Sequence, residues 1–296
     1  MKRARAATGE GVRRGVYNGS YILTLFLIVF HWGILGCSTA RYSGLLSWEE
    51  YRSGRQWEPH VVQLGDDSQG GRLLYYGVYH TQRAGDPQIR DIERYWREFQ
   101  PDVVFCEGGI WPLETTRGHA IEKHGEQGLL RYMSNRDSVC LKSLETRRVR
   151  EGMQLLKDFS PEQIKVFYVL RQALIRRLMG REIGETDYVV EILREFSRGP
   201  FRATRPNSLA QFECCVGHML PDLADWRQIP EGYFYDANGG NWLARMYRMV
   251  NDIRNQVMVA KILKELRKGK RVFVVAGRSH AVMQEPVLRA HLQKHR

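Results

Sequence analysis

Cysteine is scarce, five in 296 residues, and none falls in the paired spacing of a zinc knuckle or a disulfide framework. Cys106 and Cys140 sit in apolar, strand-like runs and read as small buried residues, with a bridge between them open only if their strands are neighbours. There is no convincing internal repeat, and only one long apolar run, close to the N-terminus. Acidic residues are fewer than basic ones, 33 against 45, giving a formal net charge of +12. The basic groups (Arg147, Arg148 and Arg150; Arg176 and Arg177; Lys264, Arg267, Lys268 and Lys270) are spread over helical stretches with no aromatic interleaving. That pattern excludes nucleic acid as an expected partner, and fits instead a basic domain beside an anionic membrane surface.

The apolar run is Tyr21 to Phe30, preceded by Lys2, Arg3, Arg5, Arg13 and Arg14. A basic stretch followed by an apolar one has the order of a secretory signal peptide. It leads into Ile34-Leu35-Gly36-Cys37-Ser38, which resembles a bacterial lipobox, with a small residue before a cysteine that would be cleaved to a new N-terminus and acylated. Residues 1–36 are therefore expected to be a lipoprotein signal peptide, Cys37 the lipidation site, and 37–58 a tether. The alternative is an uncleaved membrane helix, since about 20 apolar residues span a bilayer. Either places the domain outside the cytoplasm, anchored to a membrane, at the outer membrane or cell surface for the lipoprotein. Cleavage before Cys37 removes five Lys or Arg and one Glu, and leaves +8.

From residue 59 to 296 the pattern predicts a single α/β domain. His60 to Leu64, a turn-like Gly65 to Gly71, and Leu73 to Tyr76 read as a hairpin. A helix ending at Phe99 before Pro101 follows, then a buried strand Val103 to Glu107, a helix over about 116–134, and a third strand Ser138 to Glu145. Alternating strands and helices imply a mainly parallel central sheet with flanking helices. From about 147 to 268 the periodicity is helical throughout, which predicts a large all-helical insertion before the last strand, Val272 to Ala276. A closing helix is expected over Val287 to His295.

Two tetrads, Gly77-Val78-Tyr79-His80 and Gly277-Arg278-Ser279-His280, each close a strand-like run. A glycine at a strand end permits a tight turn and presents a histidine at the sheet rim, where imidazole can bind a metal or move a proton. Ligands in open α/β sheets bind beyond the carboxyl ends of the strands, an edge that should gather His80, Glu107, Glu145 and His280. Two imidazoles with one or two carboxylates suit a divalent metal, Mn, Co or Zn, or a metal-free acid and base pair. The helix before the last strand carries Arg254 and Asn255, which could clamp an oxyanion or orient a carbonyl, beside a core stripe of Met246, Val250, Ile253, Val257 and Ala260. Weaker candidates are Glu126 as a carboxylate looking into the cleft, His119 and His124 as surface residues, and Cys214-Cys215 with His218 as a thiol and imidazole pair lacking an orienting group. Asp236 to Asn241 reads as a helix-capping turn.

In this order, Gly77 and His80, Glu107, Arg254, Asn255 and Met258, and Gly277 and His280, the chain resembles the TraB/PrgY and Tiki group over roughly residues 72–292. That group is related to erythromycin esterases and ChaN haem-binding lipoproteins. The Gly-Glu-x-His of the esterase and ChaN branches is absent, with Tyr79 beside the first histidine. The resemblance implies an α/β core with a helical insertion and, for Tiki-like members, metal-dependent hydrolysis of peptides. On that model His80, His280 and Glu107 bind the metal and a water of lowered pKa is the nucleophile. Arg254 and Asn255 stabilise the oxyanion, and Glu145 or Glu126 carries a proton. The alternative is a ChaN-like lipoprotein that holds haem or a metal without turnover.

Overall fold

The computed structural model describes residues 42–54, 59–65, 71–178, 180, 186–235 and 240–293. The expected signal peptide, Cys37, the alternative membrane helix and the first part of the tether lie outside these residues, as do 66–70 of the expected hairpin turn and 236–239 of the expected capping turn. No helix among the described residues is long and apolar enough to cross a membrane.

Five strands make one sheet in the order β1-β2-β5-β3-β4: β1 (His60–Leu64), β2 (Arg72–Val78), β3 (Val103–Cys106), β4 (Cys140–Ser143) and β5 (Arg271–Gly277). β1 and β2 are an antiparallel pair, and every other pairing is parallel, so the fold is α/β with a mostly parallel sheet. The central β2 and β5 are near-continuous apolar runs because helices cover both their faces. Alternation divides their side chains cleanly. Leu73, Tyr75, Val272, Val274 and Ala276 join Phe105 on one face, under α9 (Trp242–Leu266) and α10 (Arg278–Gln293). Leu74, Tyr76, Phe273 and Val275 join Val104 and Cys106 on the other, under α2 (Pro87–Phe99) and α3 (Arg117–Arg136).

Local signals set the ends of these helices. Asp86 caps α2 by accepting from the Gln88 amide, Pro87 starts it, and Gln100 ends it in a left-handed conformation just before Pro101. Thr116 and Asn241 cap α3 and α9 in the same way, through the amides of His119 and Ala244. Ahead of the sheet lies α1 (Trp48–Ser53), closed by a capping box of Ser47 and Glu50.

Between β4 and β5 every described element is helical: α4 (Arg148–Leu155), α5 (Pro161–Leu178), α6 (Asp187–Glu195), α7 (Leu209–Met219), α8 (Gly232–Tyr235), α9 and two short 3₁₀ turns. They build a separate apolar core around Phe167, Phe196, Phe201, Phe212 and Phe234, completed by Leu243, Met246 and Val250 of α9. Buried Lys165 is satisfied within it by Thr204 O, Pro206 O and Asn207 Oδ1 at 2.6, 3.3 and 2.9 Å.

Three local readings are corrected. The closing helix starts at Arg278, nine residues before the expected start, and runs through Pro286, whose missing N–H leaves the Val282 carbonyl without its helical donor, while the next carbonyl, that of Met283, accepts from Leu46 N at 3.0 Å. Cys106 and Cys140 are on paired strands, yet Cys106 faces Ser143 while Cys140 faces Val103, so the register holds the thiols apart; both are free, and Cys140 is exposed rather than buried. The stripe of α9 is also rotated. Its sheet half buries Asn251, Asn255, Met258, Val259, Ile262, Leu263 and Leu266, leaving Ile253, Val257 and Ala260 half-buried, because this half packs on the sheet and on α10.

Candidate functional site

The parallel pairing of β2 with β5 aligns Gly77 with Ala276 and Val78 with Gly277, so the two tetrads leave the sheet from adjacent central strands one residue out of step. They then diverge. His80 lies in the loop beyond β2, whereas His280 lies in the first turn of α10, so the expectation that both histidines occupy the same station at a strand end is corrected for the second. Glu107, the residue after β3, continues the alternation of Phe105 toward the α9 face, which brings it to Arg254.

The Glu107 carboxylate is the centre of the cluster. Its Oε1 accepts from Arg254 Nη2 at 3.0 Å and lies 3.4 Å from His280 Nε2; its Oε2 accepts from Gly277 N at 2.6 Å and lies 3.7 Å from His80 Nε2. Burial on its own would raise this carboxyl, but the His280 imidazole, the Arg254 guanidinium and His80 hold it well below the usual carboxylate range. A β-carbon on Gly277 would stand 3.1 Å from Glu107 Oε2, 3.4 Å from His80 Nε2 and 3.9 Å from His280 Cδ2, so glycine at this position makes the room in which the three groups meet.

Each imidazole is held from behind. Asn255 Oδ1 accepts from Gln284 Nε2 at 2.8 Å and from His280 Nδ1 at 2.7 Å, which assigns the proton to Nδ1 and turns the Nε2 lone pair toward Glu107. Burial lowers the His280 pKa, against the opposing pull of the Glu107 carboxylate. His80 Nδ1 is bonded to the buried Glu126 carboxylate, whose other oxygen accepts from Thr81 N at 3.3 Å. Burial would lower the His80 pKa, but the Glu126 hydrogen bond and the charges of Glu107 and Glu126 outweigh it and raise it to about 9. The kink in α3 makes this contact possible. Gly125 adopts φ 62°, and a β-carbon there would lie 2.5 Å from Thr81 O, so only glycine lets α3 approach the His80 loop with Glu126 directed at the ring.

The two histidines differ in access: the His80 side chain is 49% exposed and that of His280 6%. Solvent therefore reaches the cluster from the His80 side. Asn255 is buried behind His280, and Arg254 lies against Glu107. Glu145 is exposed at the rim, with its amide bonded to Ser143 Oγ at 3.0 Å and its carbonyl to Lys261 Nζ at 2.8 Å. Cys214 and His218 are exposed on α7. His119 is exposed, but His124 is corrected from a surface residue: its ring lies beneath Trp111, with centroids 4.7 Å apart.

Three contributors escaped sequence reasoning. Gln284 fixes Asn255, and nothing in its spacing marks it. The hydroxyl of Tyr75 is buried on the Glu107 face, where burial and then the Glu107 charge push its pKa up. Glu151 on α4 is buried with bonds from Tyr168 Oη at 2.7 Å and from Thr146 Oγ1, and its charge helps hold Arg254 ionised; Leu155, one turn on and buried on the same face, was the available signal.

Two imidazoles and a carboxylate, with second partners on both rings, are the donor types of a divalent metal site, His80 serving as one only after losing the proton that its raised pKa retains near neutrality. Among the described residues, however, no group of three or more His, Cys, Asp or Glu side chains is placed to hold a metal ion, and Glu107 is engaged by Arg254 and Gly277. The fold and cluster thus define an α/β protein with a His, Glu and Arg site beyond the carboxyl ends of its central strands. Comparison with family models, with curated proteins and with solved structures finds no match to this chain.

Proposed function

We propose that the protein is a membrane-tethered, metal-dependent hydrolase of peptide or other amide or ester bonds, of the TraB and Tiki type that its motifs resemble. The observation that carries this reading is the placement of the Glu107 carboxylate between His80 Nε2 and His280 Nε2, at 3.7 and 3.4 Å. On this reading His80, His280 and Glu107 would hold the ion, Mn, Co or Zn, once Glu107 gave up its bonds to Arg254 and Gly277. Bound there, the ion supplies Lewis acidity that polarises a carbonyl and acidifies water.

The chain's own residues do the rest. Glu126 and Asn255 fix the two rings with their Nε2 atoms inward, as second partners of metal-binding histidines do. Arg254, kept charged by Glu107 and Glu151, supplies a cation beside the carbonyl oxygen as negative charge develops on it. Glu145, exposed at the rim, or Glu126, on His80, moves the proton to the leaving group. The helices between β4 and β5 act as an insertion that walls the buried side of the site, and Cys37 carries the lipid that anchors the exported domain. The alternative of a ChaN-like haem binder draws no support from imidazoles whose free nitrogens both face a carboxylate.

The test is metal analysis of the purified full chain with His80→Ala and His280→Ala variants. Wild type is expected to bind about one equivalent of Mn, Co or Zn and to cleave members of a mixed peptide library, and each variant to lose at least about tenfold in metal affinity together with cleavage. Unchanged metal content in both variants overturns the reading.

A further inference from the structure

The segment after Glu107 carries an unusual surface. Gly109, Ile110, Trp111, Pro112 and Leu113 are all exposed, and Ile110, Trp111 and Leu113 account for half of the six large exposed apolar side chains among the described residues. Water-exposed apolar groups crowded into four residues are costly for a loop with no role, and contiguous ones mark binding surfaces.

This loop is held in place. Gly108 O accepts from Ser143 Oγ at 2.7 Å, and a β-carbon on Gly108 would meet Gln127 Oε1 at 2.5 Å, so the backbone rests on that side chain. Trp111 Nε1 donates to the same Gln127 Oε1 at 2.9 Å while one face of the indole stacks on His124 at 4.7 Å. Beyond it Glu114 pairs with Lys123 at 3.0 Å and with His124 at 3.4 Å. The pinned framework leaves Ile110 and Leu113 outside the three apolar cores, 52% and 45% exposed.

Position decides the occupant. One end of the loop is Glu107 itself, and its tryptophan is bonded to Gln127, the neighbour of the Glu126 that holds His80. His80 is also the open side of the cluster. A substrate reaching Glu107 therefore comes in beside this loop. We propose that residues 110–113 are the specificity element of the site, an apolar shelf that takes a hydrophobic side chain next to the bond to be cleaved, so that the substrates are peptides with large apolar residues. This deepens the hydrolase reading and rests on its assignment of the site. A preformed shelf favours such ligands because it pays no ordering cost on binding.

The test uses two probes made resistant to hydrolysis by N-methylation of their peptide bonds, based on acetyl-Leu-Phe-Leu-amide and acetyl-Ser-Gln-Ser-amide, titrated calorimetrically against the full-length wild type, an Ile110→Ser/Leu113→Ser double variant and His280→Ala. Both serines replace exposed side chains, and thermal melts check that the fold is kept. Wild type is expected to prefer the apolar probe by roughly tenfold or more. The double variant should lose that preference, and His280→Ala should keep it. Equal affinity of wild type and double variant for the apolar probe overturns the proposal. So does a double variant whose only change is weaker sedimentation with phosphatidylglycerol and phosphatidylcholine vesicles, which makes the loop a membrane contact. Wild type that prefers the apolar probe but cleaves no library peptide supports the shelf and fails the hydrolase reading.

Discussion

Gly277 is the residue around which the site is arranged, and its role is one of space. Its amide holds Glu107 Oε2 at 2.6 Å, and its missing side chain leaves the gap in which Glu107, His80 and His280 meet. A β-carbon 3.1 Å from a carboxylate oxygen forces that oxygen to move by a few tenths of an ångström, and Glu107 can give way only by altering its bonds to Arg254 and Gly277. Gly277→Ala is therefore expected to cost little stability, about 1 kcal/mol, and, if the proposed hydrolase reading holds, to lower cleavage on the order of a hundredfold, because small misplacements of reacting groups are expensive. Urea unfolding and steady-state kinetics on one preparation check this; a loss of activity that only follows a loss of folded protein rejects it. The same position shows what sequence can carry. Gly77, His80, Glu107 and Gly277 are legible because each stands at or just beyond a strand end that local pattern predicts, whereas the places of Asn255 and His280 are not, since α9 is rotated on the sheet and His280 lies in the first turn of α10. The bond of His80 to Glu126 is not, because it depends on a kink at Gly125 that exists only where α3 meets the Thr81 carbonyl.

At the level of elements, the hairpin, the parallel pairings and the helices after β4 follow from periodicity and turn chemistry, but the adjacency of β2 and β5 does not. Nearly 200 residues separate those strands, and pairing across such a distance is set by the whole packing rather than by any window of sequence. An ionic clamp near the end of α9 ties that helix to β4 and to the turn leading into β5. Buried Glu265 accepts from Lys142 of β4 at 2.8 Å and from Lys268 at 2.9 Å, and Lys270, just ahead of β5, lies 3.1 Å away. The Lys142 bond chiefly, with those of Lys268 and Lys270, holds the Glu265 carboxyl at about 2 against the opposing effect of burial. A carboxyl depressed in the folded state stabilises above its ordinary value of 4.5 and ceases to as pH falls through about 2. Glu265→Gln should thus cost on the order of 2 kcal/mol at pH 7. The gap between variant and wild type should close between pH 4.5 and 2, as denaturant melts at stepped pH will read; a gap that does not vary with pH removes the clamp from the account.

On the scale of the whole molecule, α9 is the one helix among the described residues that serves both the helical core and the sheet core. Leu243, Met246 and Val250 pack among the phenylalanines of the helical core, while Met258, Val259, Ile262, Leu263 and Leu266 pack on the sheet. Arg254 and Asn255 fall between the two sets, so the residues that hold Glu107 and His280 sit at the joint between the cores. A continuous helix of 25 residues cannot lose the support of one end without fraying toward the other, and the site is the first thing that fraying reaches. Phe167 lies on α5, wholly buried in the helical core. Phe167→Ala should destabilise the protein by about 3–5 kcal/mol, and the loss should be shared. Native-state hydrogen exchange is expected to show peptides from 161–178, 243–258 and 271–277 losing protection by similar amounts. If the helical core were independent of the sheet, 271–277 would keep its protection, and Arg254 would keep its hold on Glu107 in the variant. Shared loss means instead that the helices around Phe167 support the site as well as walling it, and that a ligand bound at Glu107 stabilises them from some distance through α9.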